Sequence, residues 1–169
     1  MSSISFQAIK SVIHFADNQN LPCGNKVAKV EPLYASLNEQ LVQYGVFDNL
    51  LTIDESVVPY YGRHSVKMYI KGKPIRFGFK IWSLCGSNGY PYHLKIYQGK
   101  EKGRSQSPLG TRVVNSMVNI VERHSEVHRH DLYFDNFFTS HQLLRTSQRN
   151  QFVLQVLSGK TGQVVPRSS

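Results

Sequence analysis

Acidic residues are scarce in this chain, and where they are missing is as informative as how few there are. Not one Asp or Glu falls between Ser56 and Lys100, and none follows Asp135. Against 20 Lys+Arg stand 11 Asp+Glu, a net charge of +9. That excess favours a polyanionic partner, nucleic acid ahead of a membrane surface, because no basic amphipathic helix stands out. Cysteine is almost absent: Cys23 and Cys85 are far apart, with no CxxC. This excludes a disulfide framework and points to a reduced intracellular setting. No apolar run approaches the roughly twenty residues that cross a bilayer. The opening "MSSISFQAIK" lacks the apolar stretch of a signal peptide, so no membrane association is expected. There is no G-x-S-x-G and no Cys–His arrangement for nucleophilic catalysis. "SGKTG" at 158–162 falls short of a phosphate loop because Leu154 stands where its first Gly belongs. Nothing points to a small-molecule substrate.

Apolar residues are plentiful enough, at 40%, for a packed core in one domain of 169 residues. Phe6, Ile9 and Ile13 fall at helical spacing and predict a short first helix. Val30, Leu33, Tyr34, Leu37, Leu41 and Tyr44 trace the apolar stripe of a second, with Pro32 in its first turn and Gly45 at its end. "NLLTIDESVVP", "IRFGFKIWSLC" and "YPYHLKIYQG" read as three strands, the last two joined by the hairpin signal "GSNG". Pro108 then opens a helix burying Val113, Val114, Met117, Val118, Ile120 and Val121. "DLYFDN" is a fourth strand, Thr139 and Gln142 form a T-x-x-Q capping box for a helix through Leu143 and Leu144, and "QFVLQVLSG" is a fifth strand.

The order is thus a helical segment (1–48), then β-β-β-α-β-α-β (49–159), then a polar tail (160–169). A right-handed crossover after three meandering strands lays the fourth strand beside the first and parallel to it, with the fifth beyond. That predicts an α/β fold with a ribonuclease-H-like mixed five-stranded sheet.

In this arrangement Asp54 lies on the first strand and Asp135 at the tip of the fourth. Strands about 4.8 Å apart let the two carboxylates converge at the carboxyl edge, where α/β sheets bind ligands. Two such carboxylates repel unless a cation lies between them, and their hard oxygens suit Mg²⁺ or Mn²⁺. Two bland readings stand beside this one: Asp135 and Asn136 could cap the following turn, and Asp54 and Glu55 could be a solvated strand edge. His124, His128 and His130 form an H-x3-H-x-H group with zinc-like spacing but no Cys or carboxylate partner nearby.

"TIDESVVPYYGRHSVKMYIKGKPIRFGFKIW" resembles the core of piggyBac-type transposases, and of the domesticated proteins derived from them. "AKVEPLYASLNEQ" upstream, "LYFDNFFTSHQLL" downstream and "HFADN" near residue 14 do so too. The resemblance runs from about residue 5 to 157. It implies a ribonuclease-H-like DDE domain that cuts and joins DNA with a divalent metal, Mg²⁺ or Mn²⁺, typically at TTAA sites. By motif, Asp54 and Asp135 match the family's first and second catalytic, metal-holding carboxylates. Arg63, His64, Lys71, Lys73, Arg76 and Lys80 fall in the basic stretch assigned to contact with the DNA backbone. Their bland alternative is a solvated hairpin. Tyr69, Phe77, Phe79 and Trp82, which alternate with them, are expected in the sheet core. DNA is the implied partner, a second copy of the chain a further candidate, and the nucleus the implied location.

One departure qualifies the resemblance. The family carries a third Asp after the fifth strand, and this chain has no Asp or Glu after Asp135. Gln155, Val156 and Leu157 stand where Gly-Thr-Val is expected, the G-T-x-R-x-N-R pattern is not met, and there is no Cys-rich tail. Asp131, Glu55 and Glu101 are weak substitutes. The expectation is a chain that is not by itself a competent transposase, either a fragment or truncated product or a remnant kept for binding DNA or chromatin.

Overall fold

The computed structural model describes residues 2–72, 74–99, 107–127, 129–140, 143, 152–157 and 163–164. The expectations placed on Lys73, Glu101, His128, Gln142, Leu144 and residues 158–162 lie outside them. Two helices, α1 (Ser3–Val12) and α2 (Glu31–Tyr44), precede a mixed sheet of β1 (Leu50–Pro59), β2 (Met68–Tyr69), β3 (Phe77–Gly86) and β4 (Pro91–Ile96). Then follow α3 (Leu109–His124), β5 (His130–Asp135), a 3₁₀ turn η1 (Asn136–Phe138), β6 (Phe152–Leu157) and β7 (Gln163–Val164). β3 has β1 on one side and β4 and β2 on the other; beyond β1 come β5, β6 and β7. β1 runs antiparallel to β3 and parallel to β5, and β5 parallel to β6. The five expected strands and their order are present. Among the described residues two more, β2 and β7, extend the sheet by two residues each.

Alternation explains the core. Leu51 and Ile53 of β1, Trp82 and Leu84 of β3, and Leu132 and Phe134 of β5 share one face and are buried. α3 lies on that face with Gly110, Thr111, Val113, Val114, Met117 and Val121 turned inward at helical spacing. Phe47 stacks on Tyr92 at 4.3 Å. The Tyr92 hydroxyl donates to the Val46 carbonyl (2.6 Å) and accepts from the Asp48 N–H (3.1 Å). Burial with both hydroxyl roles filled fixes the entry to β1.

α2 does not sit as its stripe predicts. Leu33, Leu37 and Tyr44 are exposed, because the helix flanks β4 and uses a polar residue to do so. The Asn38 amide donates to the Leu94 carbonyl (3.0 Å) and accepts its N–H (2.8 Å), so the outer edge of β4 is satisfied by a side chain. Gly45 ends α2 at φ −83°, an ordinary conformation. Space demands glycine there: a Cβ would stand 2.6 Å from the Leu41 carbonyl oxygen and 2.8 Å from the Tyr90 ring. In α1 no residue is buried. Of the expected capping box, Gln142 lies outside the described residues; Thr139 Oγ1 is buried with no partner among them, and the Ser140 hydroxyl accepts the Leu143 N–H at 3.1 Å. Among the described residues no helix is long and apolar enough to cross a membrane.

Candidate metal and nucleic-acid site

The parallel register of β1 on β5 runs from Leu50↔Asp131 to Ile53↔Phe134. One step further along both strands stand Asp54 and Asp135, side by side on the face opposite α3, both exposed. Adjacent strands put their backbones about 4.8 Å apart. The Glu55 N–H donates to Asp54 Oδ1 (2.7 Å), and the Asn136 N–H donates to Asp135 Oδ1 (2.5 Å). Ser83 Oγ donates to the Asp54 carbonyl at 3.2 Å. Each carboxylate is thus oriented through one oxygen. Asp135 also serves as the N-cap of η1 through Oδ1, so the capping alternative is realised. Burial, with the Asp54 charge adding to it, pushes the Cys85 thiol above its usual range.

Other carboxylates are placed for structure. Asp48 accepts from the Ser87 hydroxyl and N–H and from the Leu50 N–H, tying β1 to the β3–β4 turn. The Ser87 hydroxyl bond holds its carboxyl below the ordinary range. Glu55 points to the opposite face from Asp54, with Lys80 Nζ at 3.4 Å. At the carboxyl end of β6, the residue in register with Asp135 is Leu157. Among the described residues no three His, Cys, Asp or Glu side chains cluster around a cation position.

The zinc reading of the histidines fails on geometry. His130 is 1% exposed, with Nδ1 2.8 Å from the Asp48 carbonyl and Nε2 2.9 Å from Ser125 Oγ. Both ring nitrogens are therefore engaged, and burial pushes its pKa down.

Arg63, His64, Lys71 and Arg76 are exposed along the β1–β3 excursion. Lys80 is different. Its ammonium lies 4.0 Å from the Trp82 ring centroid and 5.0 Å from that of Phe137, besides its pairing with Glu55. Phe137 in turn stacks on Trp82 at 5.8 Å and 18°. This stack fastens the turn after Asp135 to β3, a positioning role for Phe137 and Lys80 that the sequence pattern did not disclose. Trp82 is core and Phe79 half-buried as expected, but Tyr69 (57% exposed) and Phe77 (42%) are on the surface, 5.2 Å apart. They were expected in the sheet core; Lys67 Nζ lies 5.7 Å from the Phe77 ring centroid.

Comparison with known proteins fits this geometry. A family model described as Transposase IS4 matches residues 1–167. PiggyBac transposable element-derived protein 3 of Homo sapiens is 38% identical over 143 residues, covering 82% of this chain and 24% of that protein. PiggyBac transposable element-derived protein 2 of Homo sapiens is 32% identical over 141 residues, with the same coverage. The chain thus spans about a quarter of the length of these relatives. A cryo-EM structure of a piggyBac transposase synaptic complex with hairpin DNA superposes with a TM-score of 0.79 at 26% identity, over 95% of this chain and 34% of that one. The ribonuclease-H-like fold read from element order is the fold observed. By its sequence motifs, family match and architecture, the chain belongs to the Transposase IS4 family, among its piggyBac-type, transposable-element-derived members.

Proposed function

We propose that this domain binds DNA through the basic β1–β3 excursion and presents Asp54 and Asp135 to it as two of the carboxylates of a metal-dependent strand-cleavage and transfer centre. The observation that carries this reading is the β1–β5 register, which makes the two carboxylates neighbours on one exposed face. The donor set fits a hard divalent ion: two carboxylates, each oriented by a backbone N–H, with no ammonium or guanidinium paired to either among the described residues. Asp54 and Asp135 would hold Mg²⁺ or Mn²⁺, which supplies Lewis acidity toward a phosphodiester oxygen when bound. Arg63, Lys71 and Arg76, with Lys73, neutralise phosphates and orient the strand; His64 adds a further contact. Lys80 contributes by holding Phe137 and so Asp135.

Only two carboxylates stand together at the described sheet edge, with Leu157 in register with Asp135, and this favours a second reading. On it the 169 residues bind DNA, or DNA in chromatin, without cutting it, and act in the nucleus. Four phosphate contacts give a slope of log K on log salt of about −3.6. Titration of a fluorescent duplex across salt should show that steepness, and Arg63→Ala with Arg76→Ala should make it shallower by about 2. Salt-insensitive binding, or none, contradicts the basic surface. With Mg²⁺ or Mn²⁺ the chain should leave supercoiled DNA uncut; nicking that disappears in Asp54→Ala and Asp135→Ala contradicts the inactivity. The coding sequence beyond Ser169 separates the two readings: an in-frame Asp-bearing segment and Cys-rich tail restore the enzyme, a stop favours the binding remnant.

A further inference from the structure

The segment joining α1 to α2 does more than connect them. With the ends of β1, β3 and β4 it lines a cavity of about 410 Å³, a volume in the range of ligand sites rather than packing defects. Hydrogen bonds fix the segment in place. Asn25 Nδ2 donates to Glu31 Oε2 (2.5 Å), and Asn25 Oδ1 accepts the Val27 N–H (3.1 Å). The Val27 carbonyl accepts the N–H groups of Val30 (2.9 Å) and Glu31 (3.1 Å), and Val27 and Ala28 are buried. The cavity is therefore formed before any ligand arrives.

Its lining narrows the ligand. One wall is aromatic: the Tyr60 and Phe79 ring centroids are 4.9 Å apart, and His64 meets Phe79 edge-on at 5.2 Å. Val58 and Tyr60 line the cavity yet remain 45% and 37% exposed, so apolar surface is left for a ligand to cover. The polar side chains offer donors. His64 Nδ1 accepts the Val66 N–H (3.2 Å), which in the neutral ring leaves the proton on Nε2. Burial raises the pKa of Tyr34 and keeps its hydroxyl protonated. Lys26 and Lys29 are exposed at the cavity, and neither forms an ion pair among the described residues. No Asp or Glu lines it. An aromatic wall favours a flat π-system, and donors with two uncompensated ammonium groups favour negative charge on it.

We propose that this cavity is a binding site for a free small molecule, a planar aromatic carboxylate or sulfonate, whose ring packs on the Tyr60–Phe79 wall and whose anionic group is met by Lys26 and Lys29. The site goes beyond the DNA-binding reading and does not depend on it. Both halves of the ligand are needed: the ring covers the exposed apolar wall, and the charge answers the two lysines.

The test titrates the full chain with three probes followed by amide NMR: 2-naphthoate, the neutral 2-naphthalenemethanol, and the non-aromatic cyclohexanecarboxylate. Naphthoate should saturate at about 0.1 mM, shifting the amides of Val27, Val58, Tyr60 and Phe79. Each of the other two, lacking charge or ring, should bind about tenfold more weakly. Tyr60→Ala should weaken naphthoate about tenfold, whereas Tyr60→Phe, which keeps the ring, should retain it. Lys26→Gln with Lys29→Gln should erase the preference for naphthoate over the alcohol and leave binding of the alcohol unchanged. Shifts that never saturate, shifts centred outside the cavity, equal affinity for the charged and neutral probes, or full affinity in Tyr60→Ala would overturn the proposal. Should Tyr60→Ala not fold, the three probes on the parent chain and the lysine variant still decide. A separate duplex titration keeps the readings apart: naphthoate failing while duplex binds strikes the cavity site alone, and the reverse strikes the DNA reading alone.

Discussion

His93 on β4 is held neutral by burial, with the Lys95 charge adding to the effect, and its pKa falls from the ordinary 6.5 to about 4. The folded state therefore resists a proton that the unfolded chain accepts. Stability should decline as pH falls from about 6.5 and level off below about 4. His93 retains some exposure, so the loss is on the order of 2 kcal/mol rather than the full converted shift. His93→Gln should flatten that part of the curve, leaving the smaller slope that buried His130 adds in the same direction; urea titrations at pH 7 and 4.5 measure both. An unchanged slope in the variant would remove His93 as the cause. Among single residues, Asp54 and Asp135 were legible because strand tips and alternation give a carboxylate a definite place. Tyr69 and Phe77 were not, because alternation gives the face of a residue and says nothing about whether another layer covers it. Lys80 and Phe137 were hidden for a related reason: their contact joins positions 57 residues apart in sequence and obeys no local pattern.

α3 starts hard against η1. A Cβ on Gly110 would lie 2.7 Å from the Phe138 Cα and 2.9 Å from the Phe137 carbonyl oxygen. Backbone atoms cannot step aside as a flexible side chain can, so Gly110→Ala should cost about 1–3 kcal/mol in denaturant unfolding. It should also loosen the turn that carries Asp135; a variant as stable as the parent would show the two elements to be less tightly apposed. Element order and strand pairing could be read ahead of the structure, since hydrophobic period, hairpin residues and crossover handedness leave few topologies open. What escaped was whatever depends on a partner rather than a period. β2 and β7 are two residues long and exist only by pairing with β3 and β6. α2 faces β4 through Asn38 because that edge needed hydrogen bonds more than it needed Leu33 or Leu37.

For the molecule as a whole, charge and topology point the same way. A net +9 surrounds a sheet whose carboxyl edge brings together two of the few carboxylates, Asp54 and Asp135. Such a field favours a polyanion, and on the proposed function a cation shared by the two carboxylates would let its phosphates approach them. That sharing is the central claim, and Mn²⁺ titration followed by amide NMR tests it directly. Substoichiometric Mn²⁺ should broaden the amides of both Glu55 and Asn136, and Asp54→Asn should remove the broadening at Asn136 as well as at Glu55. Broadening at Asn136 that persists in Asp54→Asn, or none at either amide in the parent chain, would contradict a shared site.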